Sequence, residues 1–177
     1  MRKLIATLLL AMPALIISWS ADAQTATQDI NITATVASYC TVAGVTNPGA
    51  LSASIPVTNG IVNTAVISKT IASVTCNNAA DVIATSLSGG VTTGVTAPTG
   101  TTNIINYTGA ATFGGATSTI NTATTGTASG SEAGNTAVTA SAATGNLVVT
   151  ITPAQPALPL APSTAYADTL RVTLTAH

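Results

Sequence analysis

An alternation of apolar and polar residues begins at Ile30 and constrains the fold more than any other feature of the chain. Successive side chains of a β-strand point to opposite faces, so this period of two predicts a strand from Ile30 to Val42 with one apolar face. The segment is longer than a usual strand of about five or six residues, so its partner could be its own domain or a neighbouring molecule. The apolar, even-numbered positions are Ile30, Ile32, Ala34, Val36, Cys40 and Val42.

Residues 1–23 have the features of a secretory signal peptide. Arg2 and Lys3 precede an apolar run, and the Ala-Asp-Ala sequence of 21–23 is a small-x-small cleavage site. We therefore expect the mature chain to begin at Gln24 and to be exported as a soluble protein. The alternative, a retained membrane anchor, is disfavoured because the apolar run is shorter than the roughly 20 residues of a spanning helix.

The expected mature chain of 154 residues (177 minus 23) fits one domain and carries very little charge. Its formal charge is 2 − 4 = −2, which argues against a nucleic-acid-binding surface. Abundant Thr, Val and Ile favour strands, and Gly, Asn and Pro mark turns between them. The charged residues are Lys69, Arg171, Asp29, Asp81, Glu132 and Asp168.

Turn signals separate several further predicted strands, which together favour a β-sandwich. Asn59-Gly60 predicts a tight hairpin. Thr70 to Cys76 is predicted as a strand with Ala72, Val74 and Cys76 on one face, and the chain ends in a strand from Tyr166 to Ala176. The low-complexity stretch 109–146 leaves two alternatives open, long weakly patterned strands or a loop.

The two cysteines, Cys40 and Cys76, predict a disulfide, because an even number of cysteines in an exported chain usually forms bridges. A metal site is disfavoured, since the only histidine is His177 at the end of the sequence. His177 is interpreted as a frayed terminal residue, and the acidic residues as scattered, solvated charges. We therefore expect no catalytic residues, no metal, no cofactor and no enzymatic activity.

Four ordered features resemble the spore coat protein U domain family, the pilins of the archaic chaperone–usher pathway. These are the signal peptide, the alternating segment leading into Cys40, a second cysteine closing a strand, and a closing Tyr-x-Asp-Thr-Leu-x-Val-Thr-Leu from Tyr166 to Leu174. The resemblance implies an incomplete immunoglobulin-like β-sandwich that is completed by a donor strand from a neighbouring subunit. Residues 90–146 do not match the family's pattern.

The resemblance also implies which residues of neighbouring subunits would contact each other. Donor side chains would be Ile30, Ile32, Ala34 and Val36, weakly extended by Ala26 and Gln28. The acceptor groove would be lined by the C-terminal strand through Leu170, Val172 and Leu174. The Cys40–Cys76 bridge would join the first strand of the body to its partner strand.

These expectations define three regions: a signal peptide (1–23), a donor-strand extension (24–36) and a pilin sandwich (37–177). The implied function is a structural subunit of a cell-surface fimbria with roles in adhesion and biofilm formation. Its partners would be copies of itself or related pilins, a periplasmic chaperone and an outer-membrane usher. The alternative is a monomeric, secreted binding module with a complete sandwich.

Overall fold

The computed structural model describes residues 32–43, 51–124, 133–134, 136–163 and 165–177. The chain divides into two units, Met1–Thr35 and Val36–His177. In the first unit, the described residues 32–35 have no regular secondary structure. The described part of the second unit consists of strands and connections without a helix, which confirms the predicted all-β class.

Two of the strands are longer than seven residues, and the others have seven residues or fewer. In chain order they are β1 (Cys40–Val42), β2 (Val57–Thr58), β3 (Ile61–Val62), β4 (Ile67–Cys76), β5 (Ala80–Ser86), β6 (Val91–Thr92), β7 (Ile104–Ile105), β8 (Tyr107–Phe113), β9 (Ala116–Asn121), β10 (Ala133–Gly134), β11 (Val138–Ala140), β12 (Ala143–Pro153) and β13 (Leu170–Ala176).

Two antiparallel sheets form the body of the second unit. The first sheet has the order β1-β4-β12-β8-β9. In the second sheet, β5 is central, with β13 on one edge and the short strands β10 and β11 on the other. Two small ribbons, β2–β3 and β6–β7, stand apart from these sheets.

The core lies between the two sheets, because buried residues from both belong to one cluster. Most of these side chains are small, and Ser118 of the first sheet accepts a hydrogen bond from the buried backbone N–H of Ala84 in the second at 3.1 Å. The arrangement is consistent with the predicted β-sandwich. The cluster comprises Val74, Cys76, Ala80, Val82, Ala84, Ala111, Phe113, Ala116, Ile120, Ala140 and Leu147.

In the low-complexity stretch 109–146, the described residues are largely strands rather than loop. β8 alternates buried with half-buried or exposed residues, β9 alternates buried with exposed ones, and a hairpin turn at Gly114-Gly115 joins them. The turn and the pairing of β8 with β12 fix the register that small side chains specify poorly.

The first strand is shorter than predicted. Regular pairing covers only Cys40–Val42, and residues 32–39 are not in a strand; Ile30 and Asn31 lie outside the described residues. The physical reason is that β1 pairs with the last three residues of β4, so the residues before Cys40 run past the end of that strand. One further backbone bond, from the N–H of Asn77 to the carbonyl oxygen of Tyr39, follows β1, and the side chain of Asn77 bonds the backbone of Ala37 and Tyr39.

The prediction that Ala72 shares a face with Val74 and Cys76 is wrong, because a β-bulge interrupts β4. Val74 lies opposite Gly145 and Ile71 opposite Leu147, so Ala72 and Ser73 together face a single residue of β12. Ser73 has a φ of 59°, and the bulge shifts the alternation of side chains between the two faces of β4 by one residue. Before the bulge the inward side chains are therefore the odd-numbered ones, and Ala72 is exposed.

Two glycines in the turn after β8 lead to a prediction about stability, in which Gly115 is the control for Gly114. Gly114 has a φ of 54°, and a Cβ added there would lie 2.7 Å from the carbonyl oxygen of Ser141. Gly115 has a φ of 82° with nothing within 4 Å of such a Cβ. An alanine at either position has a similar cost of about 1–2 kcal/mol for its left-handed backbone. Only Gly114→Ala adds a steric clash, so it should lower the free energy of unfolding in urea by about 1–2 kcal/mol more than Gly115→Ala. Equal losses would contradict this.

Candidate functional site

The last strand, β13, has one paired edge and one open edge. It pairs with β5 over seven residues, from Leu170 opposite Ser86 to Ala176 opposite Ala80. No strand in the described part of the chain pairs with its other edge. An open edge of this length presents a row of unpaired backbone N–H and C=O groups, which is a template for another strand.

A cleft of about 1200 Å³ runs along the inner face of β13. The three residues predicted for the acceptor groove, Leu170, Val172 and Leu174, all line it and are half-buried, whereas Arg171 and Thr173 between them are exposed. The structure therefore gathers these three predicted residues on one wall.

The opposite wall belongs to the first sheet and was not predicted as part of a site. Its apolar side chains are only half-buried, apart from Leu147, because the second sheet does not cover this end of β4 and β12. The bulge at Ala72 and Ser73 turns the odd-numbered side chains of β4 toward the cleft. This wall comprises Lys69, Ile71, Leu147, Val149 and Ile151.

The predicted donor residues lie apart from regular structure. Ile32 is 90% exposed and Val36 is 76% exposed, and Ala34 is exposed as well. Ile30, with Ala26 and Gln28, lies outside the described residues. An exposed isoleucine forgoes about 1.5–3 kcal/mol that burial would contribute, so the described part of this segment has apolar side chains available for a partner.

The predicted disulfide is confirmed. Cys40 and Cys76 are directly opposite each other in the β1–β4 pair, with their Cα atoms 4.2 Å apart. Cys40, Thr41 and Val42 also line one end of the cleft. The bridge therefore holds the three-residue strand β1 in place beside the candidate site.

Asp168 anchors the beginning of β13, and the interpretation of this residue as a solvated charge is wrong. Its carboxylate accepts hydrogen bonds from the hydroxyls of Tyr107 and Ser86, each at 2.6 Å, and from the backbone N–H of Ser88 at 2.9 Å. These partners are 61 to 82 residues away in the sequence, so no local pattern reveals the contact. The Tyr-x-Asp sequence that includes Tyr166 is the only signal that singles it out.

His177 anchors the other end of β13, and the expectation of a frayed terminal residue is also wrong. Its backbone N–H donates to the carbonyl oxygen of Ala79 at 3.0 Å, and its carbonyl accepts from Asn78 at 2.9 Å. Its ring Nε2 lies 3.0 Å from a carboxylate oxygen of Asp81. Hydrogen bonds from Thr139 and then from His177 lower the pKa of the Asp81 carboxyl. Both ends of the open strand are thus fixed.

Removing the charge of Asp168 is expected to destabilise the fold. Asp168→Asn replaces a carboxylate that accepts three hydrogen bonds from partly buried groups, and we expect a loss of about 2–3 kcal/mol in the free energy of unfolding. Asp81→Asn is the matched control, because the hydrogen bonds of Asp81 to Thr139 and His177 lie at solvent-exposed positions, and the loss of stability should be smaller. Urea denaturation of both variants measures the difference, and equal losses would argue against an anchoring role for Asp168.

Alkaline pH is expected to weaken the fold through Tyr107. Burial, and then the hydrogen bond to Asp168, raises the pKa of the Tyr107 hydroxyl well above its usual range. Because the folded state holds this proton more tightly than the unfolded chain, its contribution is complete below about pH 10 and is lost as the pH rises further. Urea unfolding between about pH 9 and pH 11 should therefore show a steeper fall for the wild type than for Tyr107→Phe. Parallel curves would contradict this.

The described residues contain no helix long and apolar enough to cross a membrane, and no group of three His, Cys, Asp or Glu side chains placed to hold a metal ion. Comparisons with protein-family models, with curated proteins and with solved structures found no significant match to this chain.

Proposed function

We propose that this protein is a structural subunit of an extracellular pilus, polymerised head to tail by donor-strand exchange. Residues 24–36 of one copy would occupy the cleft beside β13 of the next copy. A periplasmic chaperone and an outer-membrane usher would serve the assembly, and the fibre at the cell surface would act in adhesion and biofilm formation. The proposal includes the incomplete immunoglobulin-like sandwich that the resemblance to spore coat protein U domains implies.

The observation that carries the proposal is the open edge of β13 beside an apolar cleft. The inward residues Leu170, Val172 and Leu174 repeat every second position. The apolar residues of the extension, Ile30, Ile32 and Ala34, repeat in the same way. A strand added at this edge would gain backbone hydrogen bonds along its length, and its alternate side chains would enter the cleft.

The form of the contact supports a filament rather than a closed dimer. The extension and the cleft are different surfaces, so each copy would use both, and a contact of this kind between unlike surfaces adds copies without closing. The chain carries only nine formally charged side chains, 4 + 5, over its 177 residues. A surface with so little charge opposes self-association only weakly.

Deletion of residues 24–35 tests the proposal. Surface fibres sheared from cells that express the full chain should give a ladder of oligomers on a denaturing gel, and heating should collapse the ladder to one band. The deletion should remove the ladder and leave a monomer that still contains the disulfide. A persistent ladder would refute donor-strand exchange, and a wild type that runs only as a monomer would favour a secreted binding module.

A further inference from the structure

The two cationic residues of the chain beyond Lys3 both lie beside the cleft at β13. The sequence has four lysines and arginines in all, and the two that follow Arg2 and Lys3 are Lys69 and Arg171. Both residues border the cleft: Lys69 faces inward from β4, and Arg171 belongs to the exposed, outward set of β13. In a chain with so few charges, this placement puts positive charge beside the open edge of β13.

Neither cation has an ion-pair or hydrogen-bond partner within the described residues, where the single ion pair is that of His177 with Asp81. Asp168 also lines the cleft, but its carboxylate already accepts hydrogen bonds from Tyr107, Ser86 and the backbone of Ser88. Glu132 lies outside the described residues. An occupant that brings a carboxylate would therefore find a free cation at this site.

The extension 24–36 carries a single charged residue, Asp29. Asp29 belongs to the odd-numbered set, which faces away from the cleft when Ile30 and Ile32 face into it. On β13 the exposed, outward set is also odd-numbered and includes Arg171. If the extension adds to the open edge of β13, Asp29 and Arg171 share one face of the sheet. Lys69 is half-buried on the inward side of β4 and does not share that face.

A charge pair on this face would select one register among those that the apolar pattern allows. Sliding one strand by two residues along another keeps every side chain on its own face, so alternation alone does not distinguish such registers. Opposite charges across two strands favour the register in which they are neighbours, and like charges disfavour it.

We propose that Asp29 of one copy pairs with Arg171 of the next and so selects the register of the added strand. The proposal rests on the proposed function, because it requires donor-strand exchange. Asp29 and Ile30 are consecutive, so in a strand parallel to β13 the pair places Ile30 beside Val172 and Ile32 beside Leu174. An antiparallel strand in this register would carry Ile32 past Leu170, the first residue of β13. Arg171 is then a specificity residue of the acceptor site.

A charge-reversal cycle on full-length subunits tests the pair. Asp29→Arg and Arg171→Asp alone should each speed the disassembly of fibres in denaturing detergent by about two- to tenfold, and the double variant should return to within about twofold of the wild type. The readout is the rate at which the ladder disappears at a fixed temperature. Salt at about 1 M should shrink the differences, because such an exposed pair is screened.

Two further double variants decide between Arg171 and the other charges. Asp29→Arg combined with Lys69→Glu should not restore the wild-type rate, and neither should Arg171→Asp combined with Glu132→Arg. Rescue by either combination, or additive losses in the Asp29–Arg171 double variant, would overturn the pairing while leaving donor-strand exchange intact. Absence of a ladder from the wild type would instead refute the proposed function, and the pairing with it.

Discussion

Fibres from cells that express Ile32→Asn should show almost no ladder of oligomers, although the subunit should fold and be exported as the wild type is. Ile32 is exposed in the single chain, so the substitution removes no contact from the described fold. In the proposed fibre, the same side chain enters the cleft of the next copy. Lost apolar burial and an amide without partners would together cost about 3–5 kcal/mol, which corresponds to more than about a hundredfold loss of subunit affinity.

Thr33→Asn is the matched control for this prediction. It introduces the same side chain one residue later, at a position that faces away from the cleft in the same strand. We expect it to keep the ladder. Loss of the ladder in both variants would mean that the segment acts without a preferred face, and an intact ladder in Ile32→Asn would remove the donor role of Ile32.

Removing the disulfide should have the largest effect on stability. Replacing Cys40 and Cys76 by serine should lower the free energy of unfolding by about 4 kcal/mol, because the two cysteines are 36 residues apart and an open chain recovers the entropy of that loop. Total stabilities are typically about 5–15 kcal/mol, so this loss is a large share. β1 has only three paired residues, and its release would also open one end of the cleft.

Urea denaturation of the oxidised wild type, the reduced wild type and the double serine variant measures this effect. The reduced wild type is the internal control, because it lacks the bridge but keeps both sulfur atoms, and it should match the variant to within about 1 kcal/mol. A variant nearly as stable as the oxidised protein would show that strand pairing alone holds β1 to β4.

The parts of the fold that the sequence predicts well are those with a local or covalent cause. Asn59-Gly60 predicts a hairpin, and both residues have positive φ values, 52° and 77°, between β2 and β3. The alternation of Leu170, Val172 and Leu174 predicts a strand with one inward face, which β13 has. The two cysteines predict a bridge that the structure contains.

The rest depends on contacts between distant residues, which local patterns do not encode. The alternation from Ile30 to Val36 predicts a strand well before Cys40, yet regular pairing begins only at Cys40, because β4 ends at its partner Cys76. The bulge at Ser73 depends on the register of β12, about 70 residues away. The second wall of the cleft exists because the second sheet leaves Ile71 and Val149 partly uncovered. No sequence pattern within β4 or β12 predicts that these side chains are left uncovered.

The fixing of β13 at Asp168 and His177 has a thermodynamic consequence for anything that binds beside it. A receiving strand that is disordered before binding has to become ordered on binding, at a cost of about 1–2 kcal/mol per residue of backbone entropy. Here the receiving strand is preorganised, with its geometry set before a ligand arrives. The entropy lost on binding therefore falls on the incoming segment alone, and more of the contact free energy remains as affinity.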